Sequence, residues 1–274
     1  MSLQPQNQPQ NKVSTWPSLA FREAGAGPPF VLLHGGIGSS SHWTRNIESL
    51  ARHFRVIAFD LPGYGASPTV PADIEPDRYI DWIVEAVEDA TDGRCDLAGF
   101  SFGGALAARV AARLGDRVRR LSLLAPGGFG VPRGRVVPTV KVPPAGTPIS
   151  ARREAVAANL ASWMLSSKPG VDDPVIDFQL YNIDHVRFDS RRVSFRETIL
   201  EDLAGITAPV QLIWGARDVL AYPSIAARVD ACRAVRPAVS VSLVEQAGHW
   251  VQYEGAERVN ELLLNFHLNR ARHI

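Results

Sequence analysis

The sequence predicts an α/β fold in which a mostly parallel central sheet is flanked by helices and interrupted by an inserted helical cap. Three observations lead there. Short runs that are apolar on both faces alternate with segments of helical periodicity, the pattern of a parallel sheet covered on each side. From about residue 131 to 205 the alternation gives way to a proline-rich lead-in and several helical stripes. A serine ringed by glycines follows one apolar run and precedes an alanine-rich helix, a turn that displays its side chain above a sheet.

Met1 through Lys12 are rich in Gln, Pro and Asn, with neither a basic region nor an apolar stretch. A flexible tail is expected over 1–12, and not a secretory signal or a membrane anchor. The core is expected over 13–130 and 206–274. Its strands are predicted at Phe30–Leu33, Arg55–Phe59, Asp96–Gly99, Leu121–Ala125, Val210–Trp214 and Val239–Val244, all short and bounded by turn residues. Asp77–Ala90 carries Ile80, Ile83, Val84 and Val87 at helical spacing, and Glu257–Leu268 carries Val259, Leu262, Leu263 and Phe266. Both read as helices that pack on the sheet and imply no cofactor.

The cap is expected over 131–205. Pro132, Pro138, Pro143, Pro144 and Pro148 lead into one stripe formed by Val156, Leu160, Trp163 and Met164 and another formed by Ile176, Leu180 and Ile183. Such helices would cover the carboxyl edge of the sheet, where open α/β folds bind ligands. Trp163, Phe178, Tyr181, Phe188 and Phe195 are aromatic candidates for a pocket lining.

The chemistry-bearing residues begin with Gly99-Phe100-Ser101-Phe102-Gly103. A serine hydroxyl becomes a useful nucleophile when a histidine takes its proton, and that histidine needs a carboxylate to fix its tautomer. Downstream, the run Val210–Gly215 ends in Gly215-Ala216-Arg217-Asp218, placing a carboxylate at a strand's end. The last strand is followed by Gly248-His249-Trp250. Asp218 is the expected acid and His249 the expected base. An oxyanion needs preorganised N–H donors, expected from the residue after the nucleophile, Phe102, and from Gly36 in His34-Gly35-Gly36-Ile37-Gly38. That glycine loop has neither the Gly-x-Gly-x-x-Gly spacing nor a following lysine of a phosphate loop. His34 reads as a brace for the loop.

The order Ser101, Asp218, His249, together with the glycine loop, resembles the serine α/β-hydrolase superfamily over about Phe30 to Phe266. The run Val56–Ser67 is similar to that family's strand and loop ahead of the nucleophile, where an acid such as Asp60 is structural. Arg119–Gly130 and Gly248–Glu254 resemble more narrowly the meta-cleavage-product hydrolases, which cut a carbon–carbon bond in ring-fission products. Those enzymes usually carry an asparagine before the nucleophile, where this chain has Phe100, and a cap arginine for the substrate's carboxylate. Arg187, Arg191, Arg192 and Arg196 all stand as candidates for that arginine.

The resemblance implies a serine hydrolase, carboxylesterase-like first and a carbon–carbon hydrolase second, with Trp250, Phe100 and Trp163 contacting substrate and no metal or organic cofactor. A small-molecule receptor that retains the triad is the alternative of another class. Composition narrows the partners. With 274 residues, 46% hydrophobic, the chain can bury a large core. Its 29 basic and 28 acidic side chains give a net charge of +1, so nothing draws it to nucleic acid or an anionic membrane. A small-molecule substrate is expected, with homo-oligomer formation left open. Cys95 and Cys232 are spaced for neither zinc nor a disulfide framework, which points to the cytoplasm.

Overall fold

In the computed structural model, which describes residues 15–132 and 136–269, the apolar runs become strands of one seven-stranded sheet. The tail expected over 1–12 lies outside the described residues. The strands are β1 (Phe21–Ala24), β2 (Pro29–Leu33), β3 (Arg55–Phe59), β4 (Cys95–Phe100), β5 (Val118–Leu124), β6 (Val210–Gly215) and β7 (Ser240–Val244). Their spatial order is β1-β3-β2-β4-β5-β6-β7, parallel throughout except where β1 joins β3. Of the five interior strands, β2, β3, β4 and β6 are almost wholly buried, as strands covered on both faces must be.

Two differences from the expected strands have simple causes. β1 has no apolar run, since Phe-Arg-Glu-Ala is largely exposed, and it exists because antiparallel pairing closes the β3 edge. β5 begins earlier than expected because Arg119 and Arg120 mask its pattern. Arg119 reaches the buried Asp96 carboxylate, and Arg120 donates to the Phe266 carbonyl.

The helices are α1 (Ile47–Ala51), α2 (Pro76–Ala90), α3 (Phe102–Leu114), α4 (Ile149–Asn159), α5 (Pro174–Asp184), α6 (Arg191–Ser194), α7 (Ile199–Gly205), α8 (Ile225–Val235), α9 (Val251–Glu254) and α10 (Ala256–His267). Pro76 opens α2, where a missing N–H costs nothing, and Tyr79, Ile80, Ile83 and Val87 form its buried face. α10 buries Val259, Leu262 and Leu263. α3 buries Gly103, Gly104, Ala105, Ala107, Ala108 and Ala111 beside four larger residues, and these small side chains let its axis lie close to the sheet. A Cβ on Gly103 would run into the backbone carbonyls of Leu33 and His34, and one on Gly99 into the Gly103 carbonyl and Ala107.

Between β5 and β6 the chain leaves the sheet. α4 and α5 pack on each other through buried Val156, Ile176 and Leu180, and Arg152 ties them by an ion pair to Asp184. The α4 stripe continues into a π-helical turn at Leu160–Met164, closed by Leu165 N–H on the Leu160 carbonyl. The last helix of the segment expected as cap is α7. α7 docks on α3 and α8, and its buried Asp202 pairs with Arg109 of α3 at 2.7 Å. Burial outweighs that pairing and pushes the Asp202 carboxyl up to about 6. Its ion pair hid this helix among the polar residues of the insertion.

The closeness of α3 to the strand ends has a measurable consequence. Gly103→Ala is expected to destabilise the fold by on the order of 1–3 kcal/mol in urea unfolding through overpacking against backbone. Gly170→Ala, where the added Cβ meets nothing, is expected to stay within about 0.5 kcal/mol of the parent.

Candidate active site

The strand order reverses between β2 and β4, so the loops leaving their carboxyl ends border the crevice in which such sheets bind ligands. The register pairs Leu33 with Gly99, which brings the glycine loop after β2 beside the turn after β4. Ser101 occupies that turn at φ 53° and ψ −113°, a strained conformation for a residue with a Cβ. Hydrogen bonds hold it there. Its N–H donates to Leu124 at 2.9 Å, and its carbonyl accepts from Gly104, Ala105 and Gly127 at 2.9, 3.2 and 2.9 Å.

On the other side of the sheet, β6 and β7 run in register from Gln211 with Ser240 to Gly215 with Val244, so their trailing loops also meet. Asp218 follows β6 and His249 follows β7. His249 Nδ1–H donates to Asp218 Oδ2 at 2.9 Å, and His249 Nε2 lies 2.9 Å from Ser101 Oγ. Asp218 and His249 are buried and Ser101 is half-buried. Burial raises the Asp218 carboxyl, but the charge and hydrogen bond of His249, together with the Leu220 N–H, carry it below the ordinary carboxylate value. Asp218 is therefore the ionised partner that selects the Nδ1–H tautomer and leaves Nε2 free to accept a proton.

The loop His34–Gly38 lies against the turn. A Cβ on Gly35 would meet the Phe100 ring and Ser101 Cβ, and one on Gly36 would meet Ser190 Oγ and Phe102 Cβ. Among the described residues the N–H groups of Gly36 and Phe102 have no acceptor, and Phe102 opens α3, whose N-terminus favours negative charge. His34 braces the loop: Nδ1–H donates to the Gly35 carbonyl at 2.7 Å and Nε2 accepts from Leu61 N–H at 2.9 Å. Ile37 sits at φ 48°, costly for a β-branched residue. Asp60 accepts from the N–H groups of Ser40 and Ala66 and so ties two loops together.

Trp250 and Phe100, expected to contact substrate, are both buried. Trp250 is wholly buried, stacks near His42 and Tyr253, and donates its indole N–H to the His42 carbonyl at 3.0 Å. Phe100 is buried behind the site, its ring 5.5 Å from His42 and 5.1 Å from His249. Trp163 does line a cavity of about 250 Å³, with Ile37, Val156, Leu160, Gln179 and Ile183. None of the other aromatic candidates borders it: Phe188 stacks on Tyr79, while Tyr181 and Phe195 are exposed. Among the described residues no cationic or acidic side chain lines it either.

Several site residues escaped the sequence reading. Glu254 accepts from Gly248 N–H at 2.6 Å and from Ser166 N–H at 2.8 Å, which binds the His249 loop to the insertion. Its place five residues after His249, inside the motif, was the one signal for it. Gln179 and Asn182 of α5 hydrogen-bond to the loop and turn after β2, and nothing in their neighbourhood marks them out from surface polar residues. Among the described residues no group of three His, Cys, Asp or Glu is placed to hold a metal ion. No helix among them is long and apolar enough to cross a membrane.

The chain is similar to known proteins over most of its length. Residues 30–262 match the alpha/beta hydrolase family. The chain is 30% identical over 250 residues to the dihydrolipoyllysine-residue acetyltransferase component of the acetoin cleaving system of Pseudomonas putida, covering 88% of this chain and 63% of that one. It is 36% identical over 117 residues, 41% of each chain, to 2-hydroxymuconate semialdehyde hydrolase of Pseudomonas sp. strain CF600. The chain thus spans under two thirds of the length of each of these relatives. A carboxylesterase structure from Bacillus subtilis shares the fold, with a TM-score of 0.69 at 20% identity over 91% of this chain and 87% of that one.

The buried rings make stability depend on pH. Burial pushes His34 from 6.5 down to about 4 and His42 down as well, so below pH 6.5 the unfolded chain takes up protons that the folded chain refuses. The stabilisation is complete above that pH. Urea unfolding is expected to lose about 1.4 kcal/mol per pH unit for each ring as pH falls from 6.5 toward 5. Stability that is flat across this window contradicts neutral burial.

Proposed function

Because the chain belongs to the alpha/beta hydrolase family, we propose that it is a serine hydrolase that cleaves a small, uncharged carboxylic ester through an acyl-enzyme. The observation that carries this reading is the pair of 2.9 Å contacts joining Ser101 Oγ to His249 Nε2 and His249 Nδ1 to Asp218 Oδ2. Ser101 Oγ attacks the acyl carbonyl as His249 Nε2 takes its proton, while ionised Asp218 holds the imidazolium. The carbonyl oxygen becomes an oxyanion between the N–H groups of Gly36 and Phe102. His249 returns the proton to the departing alkoxide, and water, deprotonated in turn by His249, releases the acid and regenerates Ser101.

The insertion acts in this reading as a cap, and the cavity beside Ile37 receives the apolar part of the substrate. Its uncharged lining among the described residues favours a neutral ester. A ring-fission dienoate carries a carboxylate that calls for a cation, and three of the four candidate arginines are committed elsewhere. Arg187 donates to the carbonyls of Gly65 and Ser67, Arg191 pairs with Asp189, and Arg192 donates to the Ile74 carbonyl. Carbon–carbon hydrolysis is the second reading, supported by the identity to 2-hydroxymuconate semialdehyde hydrolase. A reducing cytoplasm suits Cys95 and Cys232, both buried free thiols.

Turnover of p-nitrophenyl butyrate tests the reading. Ser101→Ala is expected to lower kcat by on the order of 10⁶ and Asp218→Asn by on the order of 10⁴. Wild-type kcat/KM is expected to be higher for the ester than for a dienol-diketone acid, and the reverse ranking moves the assignment to carbon–carbon cleavage. Tight ligand binding without turnover makes the protein a receptor.

A further inference from the structure

The proposed chemistry gives no role to the carboxylate that follows His249 in the chain. Glu254 ends α9, and its side chain turns back on the loop before that helix, where Oε2 accepts from Gly248 N–H at 2.6 Å. The same carboxylate reaches the insertion. Ser166 N–H lies 2.8 Å from Oε1 and 2.9 Å from Oε2. The Ser166 hydroxyl lies 2.7 Å from the Gln246 carbonyl and 2.9 Å from Oε1, and its one proton serves either acceptor. A carboxylate accepts and never donates, so one side chain binds N–H groups from two segments at once.

These bonds bracket the base. Gly248 N–H is held by Glu254, and Trp250 N–H donates to the Met164 carbonyl at 2.7 Å. Both neighbours of His249 are thus tied to the segment Met164–Ser166, one directly and one through the carboxylate. The fit is close on both sides. A Cβ on Gly248 would come within 2.9 Å of the Leu165 carbonyl carbon and Ser166 N, and one on Gly215 would run into the carbonyls of Ala247 and Gly248. The loop is wedged between the end of β6 and the insertion. It is also strained at its entry, where Gln246 sits at φ 61°, and such a conformation persists only when its surroundings fix it. Met164 ends the π-helical turn that carries Trp163, a wall of the cavity.

We propose that Glu254 is a positioning residue for His249, holding the Gly248 peptide against the insertion and so keeping Nε2 in line with Ser101 Oγ. This rests on the reading of His249 as the general base. The hydrogen bonds of Glu254 go to Gly248 and Ser166, so it acts on the imidazole through the backbone alone. Proton transfer across the 2.9 Å from Oγ to Nε2 tolerates little displacement, and a shift of about 1 Å costs on the order of 10²-fold. The same link makes cap and base one unit, since the turn that walls the cavity cannot shift without moving the loop of His249.

Glu254→Met, of similar length and without an acceptor for the two N–H groups, tests this with p-nitrophenyl butyrate, active sites being counted by fluorophosphonate titration run to completion. Positioning predicts a fall in kcat per active site on the order of 10- to 100-fold, with KM within about threefold. Glu254→Gln, whose carboxamide oxygen keeps the Gly248 bond, is expected to stay within about fivefold of the parent. The decisive comparison repeats Glu254→Met in a His249→Ala background. With no imidazole left to place, the second substitution is expected to change the residual rate per folded molecule by less than about twofold. An equal loss in both backgrounds, or fewer active sites at unchanged kcat per site, overturns the proposal and leaves the hydrolase reading intact. If the methionine variant does not fold, Glu254→Asp, too short to span both segments, takes its place in the same cycle with the same expectation. A wild type that turns over no ester, or a His249→Ala variant as active as the wild type, overturns the hydrolase reading itself.

Discussion

The site depends on one close approach, that of the α3 backbone to the carboxyl ends of β2 and β4. Gly99 and Gly103 face each other across it, and Gly103 lies against the carbonyls of Leu33 and His34 with no room for a side chain. That contact forces the chain to reverse at Ser101 and lifts the hydroxyl above the sheet, and it brings the N-terminus of α3 to the loop that carries Gly36. Van der Waals exclusion sets the geometry, and the hydrogen bonds on the Ser101 backbone hold the strained residue within it. The pairing of β6 with β7 then delivers Asp218 and His249 to the same rim.

Much of this was legible in the sequence because close packing leaves a mark in composition. A glycine on each side of Ser101, small residues along the buried face of α3 and apolar runs for the central strands are demands that few other residues meet. β1 was not legible, since an exposed edge strand needs no apolar run and is defined by its partner β3. α7 was hidden by its polar face, which buries Asp202 against Arg109. The hydrogen-bonded supports at Gln179, Asn182 and Glu254 were invisible because a buried polar group is told from a surface one only by its partner.

Trp250 and Phe100 show a different limit. Each neighbours Ser101 or His249 in sequence, yet consecutive side chains leave the backbone in different directions. His249 faces Ser101 while Trp250, at the start of α9, points into the core against His42. Phe100 ends β4 on the side of His42 and His249 and supports both rings from behind. Trp163 borders a cavity because it belongs to the π-helical turn of the insertion, an irregularity common where a helix meets a functional site. The insertion reaches the site at two independent points, α5 on the glycine loop and Ser166 on Glu254.

The central claim is that one oxygen of a tetrahedral adduct on Ser101 sits between two backbone N–H groups donated by separate loops. The crystal structure of the protein after reaction with diethyl p-nitrophenyl phosphate tests it directly. The account expects the phosphoryl oxygen within about 3.1 Å of both Gly36 N and Phe102 N, with His249 Nε2 on the opposite side of the phosphorus. A phosphoryl oxygen turned to solvent, or an adduct on any residue other than Ser101, contradicts it.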